Sequence, residues 1–445
     1  MELRLQTSYR QILGMGMPIA LAMLVPQINF ITNNIFLSGL GEAELASAGI
    51  TGVYYLTFAV IGNGLNNGLQ ALIARRAGEN RPSEIGRLFI HSIWLALGIA
   101  GIGIAITYYF APILMPRVLH NQEIANQVVD FLLIRIWGLP ILYLYVMRNA
   151  LLVGTNNTRF LVWGTLSEAV VNIVLDWGLI YGHFGLPRLG FNGAAYASII
   201  AEATGLIVIY AIIHKKGFHR SFSFFADKRV DFSLIKLIFV FSSPLILQYS
   251  MSIASWEYFY ILIEHHGQRA LAVSNAMRNI FGLFGIFSWA FAATANTMVS
   301  NIIGQDRREE VFSLVTRIAF MSFFISLAIA TILNLFPEWF LSFYGRGEEF
   351  IADGIPVVRV VSLGLLMMSF STVWLNAVTG TANTRINLQI EIITLIIYCI
   401  YVYVVLEFLN KPITWGWASE WIYWLSTFLM AYFYMRSGKW KAKSV

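Results

Sequence analysis

Apolar runs of about 20 residues recur along this chain, and a run of that length crosses a bilayer as one helix. Twelve such windows are present, running from roughly 12 to 38, 45 to 75, 88 to 114, 125 to 154, 161 to 181 and 192 to 214, then 238 to 263, 271 to 303, 312 to 336, 353 to 378, 387 to 408 and 416 to 436. Of the 445 residues, 58% are hydrophobic and only 12% charged. No soluble core hides that much apolar surface, so the expected class is an all-α polytopic membrane protein. Residues Met1 to Arg10 are short, polar and followed by no small-residue cleavage site. They are expected to lead a retained first span, not a signal peptide.

The net charge of +6 is explained by where the basic residues fall. With the N-terminus cytoplasmic, 21 of the 30 lysines and arginines lie in inner loops and tails, from Arg4, Arg75, Arg76 and Arg159 to Lys228, Arg307, Arg385 and Lys443. The outer loops hold only Arg117, Arg188, Arg269, Arg346 and Lys411. The positive-inside rule therefore places both termini in the cytoplasm of a multi-pass inner-membrane protein, and no nucleic-acid partner is needed. Enzyme chemistry is not expected either. The sequence has no phosphate-binding glycine loop and no His-Glu-x-x-His, and its lone Cys399 excludes an internal disulfide. Neither a cofactor nor ATP is implied. His265 and His266 beside Glu264 read as a solvated outer loop, since adjacent histidines do not face one way on a helix.

The two halves are copies. Pro18 pairs with Pro244, Arg10 with Lys236, Gly78 and Arg81 with Gly304 and Arg307, and Gly190 with Gly416, all at one offset of 226 residues. Gly154-Thr155 followed by Asn157-Thr158-Arg159 likewise pairs with Gly380-Thr381 followed by Asn383-Thr384-Arg385. Six spans per half give both copies the same orientation. The twelve helices thus form two six-helix bundles in a parallel internal repeat, with the substrate path between them. The expected domains are an N-terminal lobe over 1–217, a cytoplasmic linker over 218–235 and a C-terminal lobe over 236–445.

Three blocks resemble the multidrug and toxic compound extrusion (MATE) family of cation-coupled antiporters. They are Leu40-Gly41-Glu42-Ala43-Glu44-Leu45-Ala46 after span one, Asn172-Ile173-Val174-Leu175-Asp176 with Leu179-Ile180-Tyr181-Gly182 in span five, and Gly185-Leu186-Pro187 running on to Gly193-Ala194-Ala195-Tyr196-Ala197-Ser198 in span six. The resemblance, which covers nearly the whole chain, implies two bundles that alternate access by rocking. It also implies a cation site on Asn33, Asn149, Asn172 and Asp176, with Ser198 beside it. Where the family has aspartate in span one, this chain has Asn33 followed by Asn34. An amide offers sodium an oxygen but takes up no proton. The family's span-seven acid falls on Ser252, and span ten has no acid between Gly354 and Val378, so a C-terminal cation site of that type is not expected.

The polar residues of the spans carry their own argument. Glu168, Asn172 and Asp176 are spaced four apart and form one ladder on a helix, and span six adds Ser198 and Glu202 at the same spacing. Three carboxylates on two apolar helices are costly to ionise together, so at least one is expected to hold a proton or sodium ion. The competing reading pairs Glu168 and Glu202 with Arg148 as structural ion pairs. Arg135, five residues from Asp130, reads as a structural or interfacial charge. Glu257 and Arg278 lie at similar depth, either paired across spans seven and eight or open to substrate. Glu257 beside Trp256, Tyr258 and Tyr260 would suit a flat cation.

The function expected is a monomeric secondary antiporter that exports small amphiphilic, mostly cationic molecules across the lipid bilayer in exchange for protons or sodium. Asp176, Asn172, Asn33, Asn149, Ser198, Glu168 and Glu202 are the coupling candidates. Glu257, Trp256, Arg278 and Arg148 are the substrate candidates, with any bound sodium expected at Asp176. The alternative is a flippase for an anionic lipid-linked substrate, which Arg148 and Arg278 would serve.

Overall fold

The structure, a computed structural model, describes residues 3–119, 121–224, 229–345 and 347–442. Lys228, Arg346 and Lys443 lie outside the described residues, as do the side chains of Glu42 and Leu45 and part of the 218–235 linker. Among the described residues there is no strand. The first half contains α1 (Tyr9–Ser38), α2 (Glu42–Gly78), α3 (Pro82–Val118), α4 (Gln122–Arg135), α5 (Leu139–Gly154), α6 (Leu161–Tyr181), α7 (Phe191–Lys215) and the single turn α8 (Phe218–Ser221). The second contains α9 (Phe232–Glu264), α10 (Gln268–Gly304), α11 (Val311–Leu335), α12 (Pro337–Ser342), α13 (Glu348–Gly380), α14 (Thr384–Tyr403), α15 (Ile413–Trp417) and α16 (Ser419–Arg436).

Eleven described segments are long and apolar enough to cross a membrane, and they coincide with the first eleven sequence windows. The twelfth window is α16, an 18-residue helix whose Glu420, Arg436 and several Tyr and Trp residues dilute its apolar character. Helices α4 and α5 together make one span, Gln122–Gly154, joined by a 3-10 turn at Ile136–Gly138. Pro140 explains the turn, since it lacks the N–H that would bond to the carbonyl four residues back. Such helices are apolar on both sides. In α11, Leu314, Ile318, Ser322 and Ser326 are buried on one face, while Phe320, Phe324 and Leu327 stay exposed, as a lipid-facing surface requires.

The chain packs as two compact units, one of Leu21–Ile246 and the other of Met1–Ala20 with Leu247–Val445. In the first, α6 and α7 lie against each other. Glycine makes this approach possible, because a Cβ on Gly193 would stand 2.6 Å from the Leu179 carbonyl oxygen, and one on Gly205 2.9 Å from that of Gly164. In the second, α10 is the inner helix, with Ala290, Phe291, Ala295, Met298, Val299 and Ile302 buried beside α11 and α13. The N-terminal residues are pinned to α10 in the same unit. Asn301 Oδ1 accepts the Leu5 N–H at 3.0 Å, and its Nδ2 donates to the Leu3 carbonyl at 2.9 Å.

Just outside the α9 span, Asp231 starts the helix. Its Oδ1 accepts the Ser233 hydroxyl and the N–H groups of Ser233 (3.0 Å) and Leu234 (3.3 Å), while Oδ2 faces Arg87 at 3.1 Å. The Ser233 hydroxyl first, then these backbone donors and Arg87, hold the Asp231 carboxyl below the usual carboxylate range. A depressed carboxyl contributes above its unfolded value and stops contributing as pH falls through its folded value. Protection of the Ser233 and Leu234 amides, exchange measured against the intrinsic rate at the same pH, should therefore fall in acid. In Asp231→Asn protein that acid step should be absent.

Candidate functional site

Two glycine-mediated close approaches bring the polar ladder of α6 to that of α7. With Gly164 and Gly205 in near backbone contact, Glu168 lies against Gly205, 3.0 Å from where its Cβ would be. Glu168 and Asn172 of α6, Ser198 and Glu202 of α7, and Asn29 and Asn33 of α1 then line one cavity of about 180 Å³, completed by Pro26, Phe30 and Ala201. Several of its polar atoms are buried without a partner, namely Asn29 Oδ1, Asn33 Oδ1, Glu168 Oε2 and Asn172 Nδ2. Three of those four atoms are oxygens. Buried oxygens without donors are costly unless something electropositive meets them, so this arrangement suits a small cation.

The structure divides the predicted coupling residues. Asn33, Glu168, Asn172, Ser198 and Glu202 share the cavity, whereas Asp176, Asn149 and Arg148 do not line it. Asp176, one turn beyond Asn172, is fully buried, and neither carboxylate oxygen accepts a hydrogen bond. Asn149 Oδ1 on α5 is likewise buried and unpartnered.

The competing reading, in which Arg148 pairs with Glu168 and Glu202, is corrected. Glu202 pairs with Arg135 of α4, not Arg148, through two hydrogen bonds, one of them 3.1 Å from Nη1 to Oε2. The same guanidinium lies over the Tyr55 ring, 4.1 Å from its centroid. Arg148 is completely buried and stacks on Tyr145 at 3.8 Å. None of its three guanidinium nitrogens has a hydrogen-bond partner, and it forms no ion pair with Glu168 or Glu202.

The second-half candidates do not converge. Glu257 and Arg278 are both exposed and form no ion pair with each other. Arg278 instead lies over the Tyr260 ring at 5.0 Å. Trp256 packs edge-on to Tyr260 at 6.0 Å, with its Nε1 buried and unpartnered. Sequence reasoning passed over Asn29, whose signal was its four-residue spacing from Asn33. It also passed over two buried acids of the second half, Glu391 and Glu420. Glu391 follows Asn387 by four residues in an apolar run, the same spacing that marked α6.

Long apolar helices that bury a polar cavity and unpartnered carboxylates are the build of a polytopic membrane transporter. The MatE family model matches residues 18–177 and 244–404, and the chain belongs to that family of transporters. It is 22% identical over 422 residues to a probable multidrug resistance protein NorM of Thermotoga maritima, covering 92% of this chain and 88% of that one. It is 22% identical over 395 residues to the multidrug resistance protein MdtK of Proteus mirabilis, covering 87% and 85%. Among solved structures it is similar to a MOP superfamily transporter from Pyrococcus furiosus, described as having a binding pocket of reverse polarity. That likeness has a TM-score of 0.90 at 19% identity and covers 99% and 98% of the two chains. An outward-facing multidrug resistance MATE family transporter matches with a TM-score of 0.88 at 19% identity, covering 98% and 96%. At these identities the structural likeness concerns the fold.

Proposed function

We propose that this protein is a secondary antiporter of the inner membrane. In this reading it exports small amphiphilic, mostly cationic molecules in exchange for protons or sodium by rocker-switch alternating access, with both termini cytoplasmic. The observation that carries the reading is the α1–α6–α7 cavity, where Asn29, Asn33 and Glu168 present unpartnered oxygens and the lining Asn172 stands one helical turn from the enclosed Asp176. Such groups persist in an apolar span when they bind and release a cation. The multidrug resistance names of the relatives support the substrate class. The basic residues on one side of the spans support the orientation.

The test is export of a fluorescent organic cation from vesicles holding the purified protein. Export should follow an imposed proton or sodium gradient and stop when an ionophore collapses it. Export that ignores both gradients would remove the antiport reading. A second reading, a flippase for an anionic lipid-linked substrate, is supported by Arg148, whose guanidinium is buried with all three nitrogens unpartnered. In the same vesicles that activity would appear as lipid movement, with no coupled export of the cation.

A further inference from the structure

The compact unit that includes α9, α13, α14 and α16 contains a buried carboxylate that the antiport reading does not use. Glu391, in the first half of α14, has no exposed surface. Its Oε1 accepts hydrogen bonds from the Ser252 hydroxyl of α9 and from the Tyr423 hydroxyl of α16, the latter at 2.7 Å. Gln248 Nε2 of α9 donates to Oε2 at 3.3 Å. The polar chain continues inward, as Asn387 Nδ2 donates to Gln248 Oε1 at 3.3 Å and to Thr379 Oγ1 at 2.9 Å.

Charge balance is what this cage lacks. Among the described residues no lysine, arginine or histidine pairs with Glu391; its hydrogen-bond donors are an amide and two hydroxyls. The buried ionisable groups on the neighbouring elements include Tyr398, Tyr423 and Glu420, none of them cationic, and Glu420 is bonded by Trp424 Nε1 at 2.9 Å. The cations on those elements, Lys236, Arg359, Arg385 and Arg436, are exposed. Glu257 of α9 is exposed. A second feature points the same way. Asn387 Oδ1, on a side chain only 2% exposed, has no donor, so the cage offers an acceptor that nothing fills.

The site is not the repeat copy of the one on α6. At the offset of 226 residues, Glu168, Asn172 and Asp176 correspond to Thr394, Tyr398 and Val402, none of them acidic, while Glu391 corresponds to Thr165. The acid was therefore placed independently in the second unit, one turn earlier on the helix. A membrane-buried carboxylate with neutral donors and no countercharge is a costly arrangement unless a proton or metal cation occupies it.

We propose that Glu391, with Gln248, Ser252, Asn387 and Tyr423, forms a second monovalent-cation site, taking a proton or a sodium ion. It extends the antiport reading by giving the protein a second ion to exchange. Binding is measured apart from transport, so the two readings fail separately. The experiment uses purified full-length protein carrying Asp176→Asn, with radioactive sodium and, in parallel, infrared detection of the carboxylic acid C=O band as pH is varied.

The Asp176→Asn protein should show saturable sodium binding or a titrating carboxyl band, and adding Glu391→Gln should lower the sodium stoichiometry by one site or remove one component of the band. Tyr423→Phe, which keeps the ring and removes one donor, should weaken sodium affinity or move the band's midpoint by about tenfold, as loss of a hydrogen bond to a charged group implies. Sodium binding identifies sodium as the occupant, and a titrating band without it identifies the proton. The proposal is overturned if the Asp176→Asn protein shows neither signal, or if Glu391→Gln leaves both unchanged. If Glu391→Gln does not fold, an unaltered affinity and midpoint in Tyr423→Phe overturns it equally.

Discussion

Protein carrying Asp176→Asn should fold and insert normally, yet its gradient-driven export should fall to the leak of protein-free vesicles. Asparagine has nearly the shape of aspartate, and the packing around position 176 sets no hydrogen bond that the exchange would break, since both Asp176 oxygens are unpartnered. What disappears is the negative charge and the capacity to carry a proton. The side chain is fully buried on α6, so water does not screen that loss. With Asn33 already in span one, the amides at 33 and 172 would then be joined by a third. Export and thermal unfolding, measured on the same preparation, separate a coupling defect from a folding defect. Undiminished export would move the coupling role to Glu168, whose Oε2 faces no donor in the adjacent cavity.

The second large effect concerns stability. Arg135→Met should cost about 3–5 kcal/mol, the usual penalty for removing one partner of a buried ion pair. The pair is well enclosed, with 12% of the Arg135 side chain and 13% of the Glu202 side chain exposed, so solvent screening is slight. Methionine retains part of the apolar stem but removes the guanidinium from over the Tyr55 ring and leaves Glu202 charged with no countercharge. The sign of the coupling follows. Arg135→Met combined with Glu202→Gln should recover most of the loss, because a neutral amide replaces the stranded carboxylate. Unfolding midpoints of the two single variants and the double variant in one detergent close the cycle. Additive losses would mean that the pair contributes nothing beyond its separate parts.

The spanning helices were legible because bilayer thickness imposes a length that no local propensity overrides, and the eleven apolar segments fall where the runs fall. The meeting of Glu168 and Asn172 with Ser198 and Glu202 was legible too, since regular four-residue spacing on two consecutive helices fixes a face. The partner of Glu202 was not. Sequence gives the depth of an arginine in the membrane but not the direction it points. Arg135 and Arg148 are separated by the 3-10 turn at Ile136–Gly138, which resets the rotation between them. Similar depth also left two readings open for Glu257 and Arg278, and the two side chains form no ion pair. Glu391 escaped notice because its cage is assembled from α9, α14 and α16, whose contributing residues lie 139 and 143 positions from Glu391 and Asn387 or 32 in the other direction. No local pattern encodes such a meeting.

The size of the α1–α6–α7 cavity has a pharmacological consequence. At about 180 Å³ it holds roughly six water molecules' worth of volume and falls short of the 300 Å³ or so that a drug-sized ligand needs. A drug-sized substrate does not fit within it, whereas a small cation with some of its water does. A compact inhibitor lodged there, such as a small ammonium or guanidinium species, would not compete with the exported molecule for room. On the proposed antiport reading it would act by jamming the ion half of the exchange, and raising the substrate concentration would not relieve the block.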